Sequence, residues 1–370
     1  MVDPLGIALK PGQILRDTYQ VVEQIGAGAM GAIYRVEELK NGAQWALKVP
    51  KTGLPPEEYS TIINLYRSEA EILAKLSHPN LPQVREHFPY PGGHCLVFEL
   101  LTGGSLDQHL ARAQASSQQL EVAQVVGWGV QIARALEYLH SRQPPVILKD
   151  LKPENVMLAG DGSVRLIDFG IAKEHNSSGG HTVAIGTEAY AAPDHYGLMG
   201  RTDERTDLFT FGATLYHLLT GRTQRETRRS SSKRYPNSAV QALFPGPPQP
   251  AHELNVQVPP ELSAIAQRCL EIDPAQRYQS ASEVRAALEA LIGDTAAAPN
   301  ERARPWQALR QSLEKLQRTI PPSLRTSMQG LPKTLAPTLR ESWQQARALL
   351  DQMVSGVHAP VAVPATPRPA

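Results

Sequence analysis

Over the first hundred residues apolar positions alternate with polar ones, and over most of the rest they recur at helical spacing. Tyr19-Gln20-Val21-Val22, Ala32-Ile33-Tyr34-Arg35-Val36 and Trp45-Ala46-Leu47-Lys48-Val49 read as strands, with Asn41-Gly42 a hairpin turn before the third. Ile62, Leu65, Tyr66, Glu69, Ile72, Leu73 and Leu76 predict a helix over 59–76, after which Cys95-Leu96-Val97-Phe98 resumes the sheet. Beyond Gly103-Gly104 the period changes. Val122, Val125, Ile132, Ala133, Leu136 and Leu139 mark a long amphipathic helix, and residues 209–219 a mostly apolar, buried one. Leu262–Leu270 and Ala281–Leu291 add two more, and the shift to Ala, Thr and Pro over 294–299 ends the compact region near Gly293.

Composition narrows the class. The 370 residues are 41% hydrophobic and 20% charged, ordinary for a soluble globular protein. The formal net charge of +1 gives no global reason to expect nucleic acid or a membrane as partner. Cys95 and Cys269 match no metal spacing and read as buried free thiols in a reducing compartment. The N-terminal residues carry no basic-then-apolar leader and no long apolar run appears, so a soluble, cytoplasmic protein is expected.

The densest polar chemistry lies in Leu148-Lys149-Asp150-Leu151-Lys152-Pro153-Glu154-Asn155, flanked by Val146-Ile147-Leu148 and Val156-Met157-Leu158, both read as short buried strands. A carboxylate, an ammonium two residues on and an amide five on suit phosphoryl transfer, and Ile167-Asp168-Phe169-Gly170 adds a second carboxylate. Two acids and an amide can hold a divalent metal on a polyphosphate, because Mg²⁺ takes few protein oxygens and shares the rest with phosphate and water. Gly26-Ala27-Gly28-Ala29-Met30-Gly31 lies between two predicted strands, where glycines let backbone approach phosphates. A dinucleotide-binding reading needs a helix after the last Gly, and residues 32–36 are strand-like instead. Lys48 is either a snorkelling edge residue or a phosphate clamp, and an inward Glu69 favours the clamp.

In order, Gly26-x-Gly28-x-x-Gly31, Lys48, Glu69, Lys149-Asp150-x-Lys152-x-x-Asn155, Asp168-Phe169-Gly170 and Ala192-Pro193-Asp194 resemble a eukaryotic-type protein kinase over roughly residues 14–291. Gly186-Thr187, residues 207–212 and residues 273–278 resemble the bacterial serine/threonine branch, as does Lys152. The resemblance implies a two-lobed α+β fold: a small antiparallel β-sheet lobe with one helix over about 14–98, a hinge at 99–101, and a larger, mainly helical lobe over about 102–293. It implies ATP with Mg²⁺, or Mn²⁺ in its place, and protein substrates bearing Ser or Thr. By the same resemblance, Lys48 contacts the α and β phosphates and Glu69 orients it, while the Gly26–Gly31 segment covers the phosphates. Asp150 accepts or orients the substrate hydroxyl proton, Lys152 neutralises the transferred phosphate, and Asn155 and Asp168 hold metal. Glu99 to Leu101 then bond adenine through their backbone, with Phe98 narrowing the pocket. The rival is a pseudokinase, a nucleotide-binding or scaffolding module; it usually lacks one of these groups. A small-molecule kinase is disfavoured by the segment from Gly186-Thr187 to Asp194, which in the family shapes a peptide platform.

Some positions depart from the family pattern. Leu148-Lys149 replaces the usual His-Arg, so control by loop phosphorylation is expected to be weaker, since Lys lacks the bidentate fork of Arg. Asp194 replaces Glu, a shorter carboxylate that must still reach Arg277. Thr182, in the polar Gly-rich loop 174–182, is the first candidate for autophosphorylation. Arg222, Arg225, Arg228, Arg229, Lys233 and Arg234 surround Ser230-Ser231-Ser232, a run that recruits an acidic substrate, is itself phosphorylated, or is a solvated loop, the commoner case. Residues 1–13 read as an extension. Residues 294–370 read as a Pro-interrupted tail, with nine basic against four acidic residues between Glu301 and Asp351. Its amphipathic patches suit a membrane surface or partner docking, or a tail folded back or partly disordered. Oligomeric state is not legible.

Overall fold

The computed structural model describes residues 9–28, 31–50, 67, 70–90, 93–167, 188–197, 202–230 and 238–294. The first part is an antiparallel sheet of β1 (Ile14–Leu15), β2 (Tyr19–Gly28), β3 (Gly31–Glu38), β4 (Ala43–Pro50), β5 (Val84–Tyr90) and β6 (Gly93–Glu99), in the order β1-β2-β3-β4-β6-β5. The turn before β4 is where Asn41-Gly42 predicts it: Gly42 takes a φ of +70°, and Asn41 Oδ1 accepts from Ala43 N at 2.9 Å. Tyr34, Val36, Leu47, Val49, Phe88 and Val97 pack one face, and Leu9 and Leu15 join them from the preceding segment. Gly12 N and Gln13 O both bond Val21, so the backbone is tied to the sheet before Ile14.

β5 breaks the expected alternation, because Arg85, Glu86, His87 and Pro89 interrupt its apolar positions. An edge strand tolerates them. Arg85 reaches the buried Glu38 at 2.9 Å and Glu86 accepts the Tyr19 hydroxyl at 2.6 Å. The Arg85 hydrogen bond holds the Glu38 carboxyl below the usual range. Of the helix predicted over 59–76, the described residues are 67 and 70–76; residues 67 and 70–73 are helical, with Ala70 and Leu73 buried, and the chain leaves the helix in a turn at 74–75.

The second part is mainly helical: α1 (Leu106–Ala115), α2 (Val122–His140), α3 (Glu204–Thr220), α4 (Ser238–Leu243), α5 (Ala251–Leu254), α6 (Pro260–Cys269) and α7 (Ala281–Asp294), with a hairpin of β7 (Val156–Leu158) and β8 (Val164–Leu166). The short helices α4 and α5 and the polar-faced α1 carry too little periodicity to be read from sequence. α3 is capped by Asp203, which accepts from Arg205 N, and stopped by Gly221 at φ +70°. It shows no amphipathic face because it is buried nearly all round, from Thr206 to Tyr216 and from Leu218 to Thr220. Gly212 lets α3 lie directly on α6, since a Cβ there would collide with that of Cys269.

The shorter carboxylate of Asp194 does reach Arg277. Arg277 Nη1 and Nη2 donate to Asp194 at 2.7 and 3.2 Å, and its remaining donors go to the carbonyls of Glu271, Arg205 and Ile272. All five donors of a guanidinium 1% exposed are thereby satisfied. Removing one member leaves a buried charge uncompensated. Arg277→Ala is therefore expected to lower unfolding free energy by about 3–5 kcal/mol in urea titrations; a loss under about 1 kcal/mol contradicts the account.

Candidate active site

The loop from Leu148 to Asn155 is held from below by one carboxylate. Asp207, wholly buried in α3, accepts the backbone N–H of Leu148 at 2.9 Å and of Lys149 at 2.8 Å, and His140 Nε2 donates to it at 2.9 Å. Lys149 stands at φ +65°, a conformation unfavourable for a side-chain-bearing residue, which persists because these bonds over-determine it. The predicted strand over Val146-Ile147-Leu148 is absent. Val146 N bonds Leu139 O and Leu148 N bonds Asp207, so the segment is fixed by a helix end and a side chain rather than a neighbouring strand. The strand at 156–158 is present as β7.

This pinning sets the polar groups. Asp150 is 4% exposed, and Lys152 Nζ lies 3.2 Å from its Oδ2. Asn155 Nδ2 donates to Asp150 O at 2.8 Å, which assigns the amide's orientation and leaves its carbonyl end as the hard oxygen suited to a cation. Thr214 of α3 caps Leu151 O at 3.2 Å. Asp150, Lys152 and Asn155 are thus brought together on one buried turn.

Above them, Lys48 sits half-buried in the sheet's interior strand β4, in register with Ile33 and Leu96. Gly26 pairs with Ile33, Ala27 with Ala32 and Gly28 with Gly31, so the glycine-rich segment is a hairpin. A Cβ built on Gly26 meets nothing nearer than Ile33 at 3.8 Å, so the protein's own packing does not require glycine there, in keeping with space kept for a ligand. Ala29, Met30, Glu69, Asp168 and Thr182 lie outside the described residues, as does everything beyond Asp294.

The expected hinge carries an interaction that sequence reasoning missed. Glu99 accepts from Arg165 Nε of β8 at 3.0 Å, and its backbone N–H bonds Gln83 O at 2.9 Å. Leu101 is buried. Gly103 then runs against β7, bonding Leu158 O at 2.9 Å so closely that a Cβ would stand 2.7 Å from that oxygen. A second link joins the parts: Asn80 Nδ2 donates to Gln131 of α2 at 3.1 Å and to Val164 O at 3.0 Å, and His78 stacks on Tyr138. His140, Asn80 and Arg165 were missed because each acts across a long sequence separation; Asp207 was noted within the stretch 207–212 but given no role, although an acid beside an apolar run was a legible hint.

Comparison with known proteins agrees with this geometry. The family described as "Protein kinase domain" matches residues 19–288. A probable serine/threonine-protein kinase of Clostridium acetobutylicum is 27% identical over 279 residues, covering 74% of this chain and 40% of that protein. One of Streptomyces coelicolor is 30% identical over 289 residues, with coverages of 74% and 40%. An Aurora kinase of Schizosaccharomyces pombe is 31% identical over 260 residues, covering 70% of this chain and 68% of that one. The chain spans about two fifths of the length of those bacterial relatives. The crystal structure of the Mycobacterium tuberculosis PknI kinase domain superimposes with a TM-score of 0.57 at 26% identity, covering 76% of this chain and 99% of that one.

Two outcomes follow from the pinning. Asp207→Asn turns one of the two accepting oxygens into an NH₂ that faces a backbone donor, so the Leu148 or Lys149 amide should exchange hydrogen about tenfold faster or more; unchanged exchange contradicts the role of Asp207. Acid should also destabilise the fold. Burial holds His195 down to about 4, and burial with Arg134 and Arg165 holds His78 there too. Between about pH 6.5 and 4 the unfolded chain binds these protons and the folded one does not, so stability is full above the window and falls as pH drops through it. Urea titrations at pH 7.5 and 4.5 check this, and His195→Gln should flatten the difference.

Proposed function

The chain belongs to the protein kinase family, and on that basis we propose that it transfers the γ-phosphate of ATP to Ser or Thr hydroxyls of proteins. The observation that carries the proposal is the turn on which Asp150, Lys152 and Asn155 converge, fixed through Asp207. A protein kinase domain uses ATP with a divalent metal. Bound, they supply the phosphoryl group and neutralise its charge, and the residues present fit them: an open glycine hairpin and an amide turned to offer oxygen.

In this reading Asp150 orients the acceptor hydroxyl and takes its proton, a task for which a fixed, shielded carboxylate acceptor is suited. Lys152 sets positive charge beside the group in transfer, where oxygen negativity concentrates. Asn155 and Asp168 hold Mg²⁺, or Mn²⁺ in its place. Lys48, oriented by Glu69, holds the α and β phosphates beneath Gly26–Gly31, and the backbone of Glu99 to Leu101 receives adenine. The catalytic domain spans residues 14–293. A pseudokinase reading is not favoured, since none of these groups is missing from the sequence.

The test is transfer of labelled γ-phosphate to peptides with Mg²⁺, with Mn²⁺ and with chelator. Asp150→Asn is expected to cost about 10²–10⁴-fold in kcat. Asp168→Ala and chelation should abolish turnover. Equal activity in wild type and both variants would overturn the mechanism.

A further inference from the structure

The chain between β6 and α1 is held at both ends and open in the middle. At its start, Glu99 N donates to Gln83 O at 2.9 Å, and one oxygen of the Glu99 carboxylate accepts from both Gln83 N at 3.3 Å and Arg165 Nε at 3.0 Å. At its end, Gly103 N donates to Leu158 O and Leu158 N to Gly104 O, both at 2.9 Å, so this stretch runs beside β7. Between the two anchors, no group among the described residues hydrogen-bonds the backbone N–H or C=O of Leu100 or Leu101. Leu101 is nevertheless buried, and buried backbone groups in folded proteins nearly always have a partner. Consecutive peptide groups kept without one, where the reading above seats adenine, point to a ligand that supplies it.

Arg165 is the part of the first anchor that comes from the helical part. It stands in the middle of β8, opposite Met157 of β7. Its guanidinium is fixed independently of Glu99, since Nη1 donates to Ser163 Oγ at 2.6 Å and to Val164 O at 3.2 Å. Val164 is fixed in turn: its N–H donates to Gln131 Oε1 of α2 at 2.9 Å and its carbonyl accepts from Asn80. With side chains 14% and 26% exposed, Arg165 and Glu99 form a pair that salt and water screen less than one on the open surface.

The hairpin gives this anchor a direction. At its other end Ile167 N donates to Asn155 O at 2.9 Å, beside the turn of Asp150 and Lys152. β7 and β8 therefore carry the groups assigned to metal and phosphate at one end and meet the hinge, through Arg165 and Leu158, further along. Loss of the Arg165 pair lets the start of the hinge shift while the backbone ladder of the hairpin keeps the Asn155 end in place.

We propose that Arg165 is a positioning residue for the nucleotide: acting through Glu99, it sets the open peptide groups of Leu100 and Leu101 where they meet the base, and it has no part in holding the phosphates. The inference rests on the reading that residues 99–101 receive adenine.

The test uses the full chain in the phosphate-transfer assay, with adenosine and inorganic tripolyphosphate as competitors of ATP that probe the base end and the phosphate end separately. Arg165→Met keeps the aliphatic stem and removes the cation. It is expected to raise the ATP KM and the adenosine inhibition constant about tenfold, with the tripolyphosphate constant, the peptide KM and kcat within about twofold. Arg165→Lys should recover part of the loss, because an ammonium donor still reaches Glu99. Glu99→Gln alters the pair from the hinge side and decides alone should Arg165→Met fail to fold; it should weaken adenosine about threefold and leave tripolyphosphate unchanged. Equal losses for adenosine and tripolyphosphate, or no recovery in Arg165→Lys, overturns the positioning role. If adenosine does not compete in the wild type although tripolyphosphate does, the adenine seat and the positioning role fall together, whereas adenosine competition indifferent to both Arg165→Met and Glu99→Gln disproves the positioning role alone.

Discussion

The carboxylate of Asp207 is the constraint on which the active-site geometry turns. Its two oxygens take up backbone donors from consecutive residues, one of them, Lys149, in a left-handed conformation that costs on the order of 1–3 kcal/mol. Because Asp207 is buried, the charge-assisted bonds have no competing water, and His140 gives the carboxylate a third partner. The chain is thereby turned so that Asp150, Lys152 and Asn155 follow on one side of it. Without this bond set the loop has no strand partner to fall back on.

The same helix organises what lies on either side. Thr206 in the first turn of α3 bonds Asp194, which holds Arg277, whose guanidinium lies 5.0 Å over Phe209 one turn on. Asp207 and Thr214 hold the loop, and Tyr216 bonds Gln249 O beyond. An apolar helix able to carry this many buried polar contacts is unusual only in appearance, because each polar group is matched. That matching replaces the amphipathic face a surface helix would need.

Much of the fold was legible in the sequence. β2, β3, β4, β6, the turn at Asn41-Gly42 and the helices α2, α3, α6 and α7 follow from period and turn chemistry, which are local. The polar triplet of Asp150, Lys152 and Asn155 was legible for the same reason, lying within six residues. What was not legible is non-local. β5 is an edge strand whose charged residues satisfy partners 47 and 67 positions away, Glu38 and Tyr19. Val146–Leu148 looked like a strand because it is apolar, yet its donors go to a helix end and to Asp207. Arg225 and Arg228 after α3 looked solvated because their aromatic partner, Phe244, is unremarkable in sequence.

The joins at Asn80 and at Glu99 have a mechanical meaning. One ties the loop before β5 to α2 and β8; the other ties the end of β6 to β8. Two fixed points define a line. Any rocking of the sheet over the helical part that leaves both bond sets intact is therefore confined to rotation about that line, with sliding and twisting suppressed. The paired ends of β2 and β3, Gly28 and Gly31, turn with the sheet about that line, so a small rotation at the joins changes how far they stand from the turn of Asp150, Lys152 and Asn155.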